Sequence, residues 1–305
     1  MKNLESMDIK LNQFNNNDIK TLLDFYSTFS DREELVKWVR SMPKSTPKIQ
    51  KAGNEDSQIA VIIPTPTLLH PLAINCQNNI FNDLNIIFSI DNSVLFNLSH
   101  SYNHGAKVLS KEPNVEWVIF SNVDMFQIDQ PTILQNELTK LNGQVKLSYA
   151  KEDGSHSYQV RIGEYTYLRK IVFNLFGKTR KIRSNLENKF SIHMNAEDVR
   201  SVFFRNFVTN AKNLLNFGDF FIFSIDLLKN FHYEPFDEMY LNGMEDIDLS
   251  LRLFSELTKD EIMGINYRIG SMESGVRGRG LERIFRSIPS LAYFNEKLEN
   301  IKYKW

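Results

Sequence analysis

The sequence predicts an α/β protein with a mostly parallel central sheet flanked by helices. Three apolar runs rich in β-branched residues, 59–63, 84–90 and 117–120, each end in a polar loop. Such runs are typical of strands buried on both faces of a parallel sheet. Helical spacing between the runs indicates strand–helix alternation, and right-handed crossovers would bring the three polar loops to one edge of the sheet.

The composition describes a globular chain with balanced charge. Its 305 residues suffice for one large α/β domain or two modest ones, and an apolar content of 42% suffices for a packed core. The 36 Lys and Arg residues nearly balance the 37 Asp and Glu residues, so nucleic acid is not an expected partner. Cys76 is the single cysteine, which excludes an intrachain disulfide and fits a reducing compartment.

No stretch of the sequence indicates membrane insertion or export. No run reaches about 18 uninterrupted apolar residues, and no apolar segment follows the polar residues at the start of the chain. We therefore expect a cytoplasmic protein, which could still contact the inner face of a membrane peripherally.

Three regions are expected along the chain. Residues 1–57 are predicted to form a helical N-terminal extension and linker, residues 58–275 the main domain, and residues 276–305 a basic loop and a C-terminal helix. Residues 150–215 are expected to be an insertion within the main domain.

The N-terminal extension is predicted to contain two helices. Apolar residues recur at helical spacing from Ile19 to Tyr26. A second helix is predicted to start at Ser30, because Ser30 and Glu33 have the spacing of a capping box, and to end before Pro43. The polar residues of 43–57 predict the linker.

The elements of the main domain follow from periodicity and turn residues. After the three apolar runs are set aside, the expected elements are helices near 68–82, 94–111 and 131–141, strands at 144–149 and 262–269, a strand after Gly218, and a helix that carries Ile247, Leu251 and Phe254.

A set of short motifs resembles one enzyme family. Taken in chain order, they resemble the family 2-type nucleotide-sugar glycosyltransferases with a GT-A fold, and the resemblance spans about residues 58–275. The motifs that carry it are Val61–Thr65, Ser89–Ser93, Asn103–Ala106, Asn122–Asp124, Gly218–Ser224, Phe236–Glu238 and Glu245–Arg252. Each motif alone is weak, whereas the ordered set is specific for the family and says almost nothing about the sugar.

The resemblance implies an enzyme that moves a sugar from a nucleoside diphosphate to a hydroxyl, on a glycan or a lipid-linked glycan, with Mg²⁺ or Mn²⁺ as cofactor. One alternative is a non-catalytic nucleotide-sugar binder or scaffold with the same fold. A nucleotidyltransferase is a third class, but it would need a glycine-rich, arginine-bearing loop after the first strand, where this chain has Pro64–Thr67.

The resemblance also assigns the donor side of the site. Asp124 is the candidate metal ligand because Mg²⁺ and Mn²⁺ prefer oxygen ligands; a cap on the following turn is the alternative. Asp91 would meet the base or ribose, although an Asx-turn with Ser93 would also explain it. The donor-binding candidates are Pro64, Thr65, Asp91, Asn103, Asn122, Arg277 and Arg279. A solvated basic loop is the alternative for the two arginines.

The acceptor side centres on the acids before the helix that carries Ile247. Asp246 is the candidate general base and Glu245 the second choice; acids that only favour the helix dipole are the alternative. A base opposite the leaving group implies inversion at the anomeric carbon. Gly218 and Asp219 are assigned to the acceptor side, together with the insertion 150–215.

Two departures from the family pattern concern the metal. Asn122 stands where the first acid of the usual Asp-x-Asp motif is expected, so one negative charge is missing. The histidine that many relatives carry after the last core strand is also missing, since 267–271 reads Tyr-Arg-Ile-Gly-Ser. We therefore expect the metal to be held largely by the phosphates of the donor.

One further segment suggests a membrane surface. Residues 167–183 mix aromatic residues with several cations, a composition that can rest on an anionic bilayer and approach a lipid-linked acceptor. An exposed helix of the insertion explains the same composition without a membrane.

Overall fold

A computed structural model describes residues 9–94, 96–151, 158–167, 169, 171, 178–198, 208–216, 218–241, 243–272 and 281–300. Twelve strands lie in these ranges: β1 (Lys48–Gly53), β2 (Ile59–Thr65), β3 (Asn85–Ile90), β4 (Trp117–Ser121), β5 (Met125–Gln127), β6 (Leu147–Ala150), β7 (Tyr158–Tyr165), β8 (Met194–Asp198), β9 (Val208–Asn216), β10 (Phe220–Ser224), β11 (Ile262–Ile265) and β12 (Ile269–Ser271).

The helices that position the site flank these strands. Within the described ranges they are α1 (Ile19–Ser27), α2 (Arg32–Ser41), α3 (Pro71–Asn75), α4 (Leu98–Val108), α5 (Pro131–Thr139), α6 (Lys178–Lys189), α7 (Ile225–Asn230), α8 (Glu245–Glu256), α9 (Leu281–Arg286) and α10 (Ile288–Asn300). No helix in the described part of the chain is both long enough and apolar enough to cross a bilayer.

The central sheet has seven strands in the order β1-β3-β2-β4-β10-β6-β11. Five strands run in the same direction, while β1 and β10 are antiparallel to their neighbours. The predicted α/β class with a mostly parallel sheet is therefore confirmed at this level, as a large mixed sheet with helices packed against it.

The apolar runs form strands because both of their faces are buried. Val61 and Ile119 belong to one core cluster, and Ile62 and Phe120 belong to another, as the two-residue period of a strand requires. Helix α4 packs closely over this sheet at Gly105, where an added Cβ would lie 2.5 Å from a methyl carbon of Ile62. Glycine at this position lets the helix approach β2.

The N-terminal helices pack against the end of the chain and against the insertion. A third core cluster joins Phe25 and Trp38 to Phe190 after α6 and to Phe285 and Leu291 in α9 and α10. This packing brings the segment that follows α2 to the edge of the main sheet.

Several sequence predictions differ from the observed structure. The second helix is capped by Asp31, whose side chain accepts the N–H of Glu34 at 3.0 Å, so the capping box at Ser30 was wrong. An ionised Asp accepts this bond and also favours the positive helix end. Part of the expected linker is β1, an edge strand that pairs with β3. As an edge strand, β1 pairs with one neighbour and none of its residues is fully buried, so it lacks the apolar sequence pattern of the central strands.

The last predicted strand and the insertion also differ from expectation. Residues 262–269 do not form one strand: β11 joins the main sheet, and β12 pairs instead with β5. The region 150–215 contains a separate antiparallel sheet, ordered β8-β7-β9, which was not predicted.

Candidate functional site

The candidate site lies where the order of the parallel strands reverses. The chain passes from β2 to β3 on one side and then returns across β2 to reach β4 on the other. In open α/β sheets, ligands bind outside the carboxyl ends of the strands at such a switch point. Thr65, Asp91 and Asn122 stand at these strand ends, so the sheet brings three predicted donor-site residues to one edge.

Asp91 is buried and both of its carboxylate oxygens accept hydrogen bonds. The Ser93 N–H donates to Oδ1 at 2.9 Å, which is the Asx-turn expected as the alternative. The hydroxyl of Ser45, from the segment between α2 and β1, donates to Oδ2. Sequence reasoning missed Ser45, because a serine in a polar linker gives no local signal.

Pro64 and Thr65 end β2 and are also buried. The Thr65 hydroxyl donates to the carbonyl of Thr67 at 3.0 Å, and the Thr65 carbonyl accepts the N–H of Asp91 at 3.0 Å. Thr65 therefore shapes the loop after β2 and fixes the start of the Asp91 loop.

A polar cluster lies at the end of β4, and we call Tyr102, Asn122, Asp219 and Ser271 the strand-end cluster. The Asn122 amide donates to Asp219 Oδ1 at 2.6 Å and accepts the Tyr102 hydroxyl at 2.9 Å. The Ser271 hydroxyl donates to Asp219 Oδ2 at 2.8 Å. Asp219, which was assigned to the acceptor side, lies directly against Asn122. Tyr102 and Ser271 were not predicted.

Asp124 lies beside this cluster and is half-buried. Its carbonyl accepts the N–H of Met272 at 2.8 Å, which ties the motif to the residue after Ser271. Burial, helped by the negative charge of Asp124, raises the pKa of the Cys76 thiol to about 12.

The donor chemistry here suits a hard cation. Asp124 and Asp219 offer carboxylate oxygens, which Mg²⁺ and Mn²⁺ prefer. Within the described residues, however, no group of three or more His, Cys, Asp or Glu side chains could hold a metal by itself. A cation held by these two carboxylates would need its remaining ligands from other oxygen atoms.

Asn103 is almost fully buried in α4, and its amide nitrogen and oxygen both form hydrogen bonds inside the protein. It accepts the Phe236 N–H at 3.1 Å, donates to the Phe236 carbonyl at 2.9 Å, and donates to Glu238 at 2.9 Å. The structure thus gives this predicted donor-site residue a role in holding the loop 236–238.

Glu238 gathers positive partners next to that loop. It pairs with Lys44, and its carboxylate lies 3.1 Å from Nδ1 of His100. Burial would raise the pKa of Glu238, but bonds from His100, Lys44 and Asn103 outweigh it and lower the pKa to about 2. The bond to Glu238 in turn raises the pKa of His100. These contacts hold Lys44, and with it Ser45, over the end of β3.

Asp246 is half-buried in the first turn of α8. Its Oδ2 accepts the amide of Asn216 at 3.0 Å, and its Oδ1 accepts the N–H of Ile247 at 2.9 Å. Asn216 precedes the turn at Gly218, whose φ of 58° favours glycine, and that turn leads to Asp219. The structure therefore connects the candidate base to the acceptor-side residues through Asn216.

Two neighbouring acids are structural. Lys297 of α10 contacts Asp237 at 2.7 Å and Asp248 at 2.8 Å, and Arg252 contacts Asp248 at 3.1 Å. Lys297 joins the two acidic motifs, although nothing in the local sequence around it indicates this role. Glu245, the second candidate base, is also buried at the start of α8.

Two predictions lie wholly or partly outside the described residues. Arg277 and Arg279 belong to the unassigned range 273–280. In the segment 167–183, Tyr167 and Ile171 are 77% and 41% exposed, as membrane contact would need. Arg169 and Arg183, by contrast, pair with buried Glu187 at 2.8 and 2.9 Å, so these two cations neutralise an internal acid.

No protein-family model matches the chain, and no curated protein matches it.

Proposed function

We propose that this chain is an inverting, metal-dependent glycosyltransferase of the GT-A type, which moves a sugar from a nucleoside diphosphate to a hydroxyl of a glycan or lipid-linked glycan. One observation carries the proposal. Acids and amides from the ends of β3 and β4, from the turn at Gly218 and from the start of α8 gather at the switch point of the sheet. The motif order supports the same class.

On the donor side, Asp91 would accept hydrogen bonds from the base or ribose. Its two oxygens can accept about four bonds, so the bonds from Ser93 and Ser45 leave room for a nucleoside. Mg²⁺ or Mn²⁺, when bound, would offset the charge of the diphosphate, with Asp124 as its protein ligand. Arg277 and Arg279 are proposed to meet the diphosphate as well.

On the acceptor side, Asp246 would take the proton of the attacking hydroxyl. The hydroxyl oxygen bonds to the anomeric carbon while the bond from that carbon to the diphosphate oxygen breaks. Attack from the face opposite the leaving group inverts the anomeric configuration. The Asn216 amide, 3.0 Å from Asp246, holds the carboxylate in one orientation.

A non-catalytic nucleotide-sugar binder is the second candidate. The missing acid at position 122 favours it. The two functions share the donor pocket and differ in the need for Asp246.

A thermal-shift screen of nucleoside diphosphates and nucleotide sugars, with and without Mn²⁺, tests the shared pocket. A ligand at 100 times its Kd stabilises the native state by about 2.7 kcal/mol, which shifts the midpoint visibly. We expect a metal-dependent shift for one base. No shift with any nucleotide would contradict both functions.

A further inference from the structure

In the candidate diphosphate site, the acidic residue lies at a different position from the one that the family motif predicts. Position 122 is neutral, yet the residue opposite it is an acid. Strand register pairs Phe220 with Ser121, so Asp219 is the next cross-strand partner of Asn122, and the Asn122 N–H donates to the Asp219 carbonyl at 3.0 Å. Paired residues of this kind have their Cα atoms about 5 Å apart.

Hydrogen bonds fix the orientation of both side chains. Tyr102 donates its hydroxyl to Asn122 Oδ1, so the amide nitrogen must face Asp219. Ser271 donates to the other oxygen of Asp219. The carboxylate is therefore held from two sides, by one residue of the metal motif and by one residue of the segment where relatives carry histidine.

We infer that Asp219 carries the negative charge that the motif lacks at position 122, and that it faces the cation–diphosphate group of the donor together with Asp124. Asn122 and Ser271 are positioning residues that orient Asp219. This inference rests on the proposed function. An acid at 122 would stand against Asp219 and repel it, whereas the observed amide donates to Asp219, so the pair carries a single negative charge.

Exchanging the two residues tests the inference. The variants are Asp219→Asn, Asn122→Asp and the double exchange, which keeps the charge and the hydrogen bond but moves the acid to position 122. Mn²⁺ uptake is measured by electron paramagnetic resonance with UDP, GDP, ADP, CDP or dTDP, each in turn. Asp226→Asn, an exposed acid on α7, is the matched control.

Asp219→Asn is expected to weaken Mn²⁺ uptake in the presence of the bound nucleotide by about 10- to 100-fold, the usual effect of a lost partner at a metal site. The double exchange should recover most of that loss, and Ser271→Ala should weaken uptake by about tenfold. Unfolding is monitored in parallel, and a loss of Mn²⁺ uptake at unchanged stability is a result that a purely structural role of Asp219 would not give.

Two results would overturn the inference. If the wild-type chain binds Mn²⁺ with a nucleotide and Asp219→Asn binds them equally well, Asp219 carries no such charge, while the proposed function stands. The inference is also overturned if the double exchange takes up Mn²⁺ as weakly as Asp219→Asn does. If the wild-type chain takes up Mn²⁺ with none of the five nucleotides, the proposed function and the inference fall together.

Discussion

The buried amide of Asn103 forms three hydrogen bonds, and their removal has a clear expected effect on the free energy of unfolding. Asn103→Ala deletes two neutral hydrogen bonds to Phe236, at about 1 kcal/mol each, and one bond to the Glu238 carboxylate, at about 2 kcal/mol. The expected loss in the free energy of unfolding is therefore about 4 kcal/mol. Phe236 is itself buried, so water cannot replace these bonds without opening the loop.

Urea denaturation followed by tryptophan fluorescence measures this loss. With an m-value of about 3 kcal/mol/M, the midpoint should fall by about 1 M or more at unchanged slope. Asn79→Ala is the matched control, because the Asn79 side chain is exposed and donates to Asn75, and it should change stability by less than about 0.5 kcal/mol.

A loss below about 1 kcal/mol in Asn103→Ala would refute the structural role of this amide. Nucleotide affinity of the folded variant then separates the two roles. If Asn103 contacts the donor, as the sequence predicted, affinity falls even where the variant is fully folded. If it only holds the loop 236–238, the variant loses stability first, and affinity follows the folded fraction.

Three further predictions concern catalysis, pH and membranes. Asp246→Asn should leave nucleotide binding near normal and slow sugar transfer by about 100-fold or more. Unchanged turnover in this variant would rule out Asp246 as the general base. Normal nucleotide binding without turnover in the wild type would favour the non-catalytic nucleotide-sugar binder. The pKa of His100 is raised by Glu238, so its contribution to stability is complete below about pH 6.5 and is lost as the pH rises through the folded-state pKa. The stability difference between wild type and His100→Gln should thus shrink by about 0.5–1 kcal/mol between pH 6 and pH 9 in urea titrations, and an equal difference at both pH values would contradict the ion pair. Vesicles with anionic lipid should bind the chain at low salt and release it at high salt. Ile171→Asp should abolish this binding, whereas Ile133→Asp, at a similarly exposed position, should not. Equal binding to neutral vesicles, or no binding to any vesicle, would contradict the membrane contact.

The strands of the main sheet were predictable because burial on both faces leaves a local trace. The run 59–63 is apolar at every position, and the structure places β2 in the middle of the sheet. The edge strand β1 left no such trace, since it carries polar residues on its solvent side. The same reason explains why the linker was expected where β1 lies.

The candidate site was predictable only in part. Asp91 and Asn122 stand out because each follows a buried strand, and Asp246 because acids cluster before a helix. Their partners do not stand out. Ser45 reaches Asp91 from 46 positions away and Ser271 reaches Asp219 from 52 positions away, and an isolated serine has no pattern that marks such a contact.

The sequence by itself determined the α/β class, the main parallel strands and the edge of the sheet where polar residues gather, because these depend on short-range periodicity. Only the tertiary structure decided which side chains face one another there. The pairing of Asn122 with Asp219 depends on the antiparallel register of β10 against β4, two strands about 100 residues apart, and hydrogen bonds of that range are set by packing of the whole sheet.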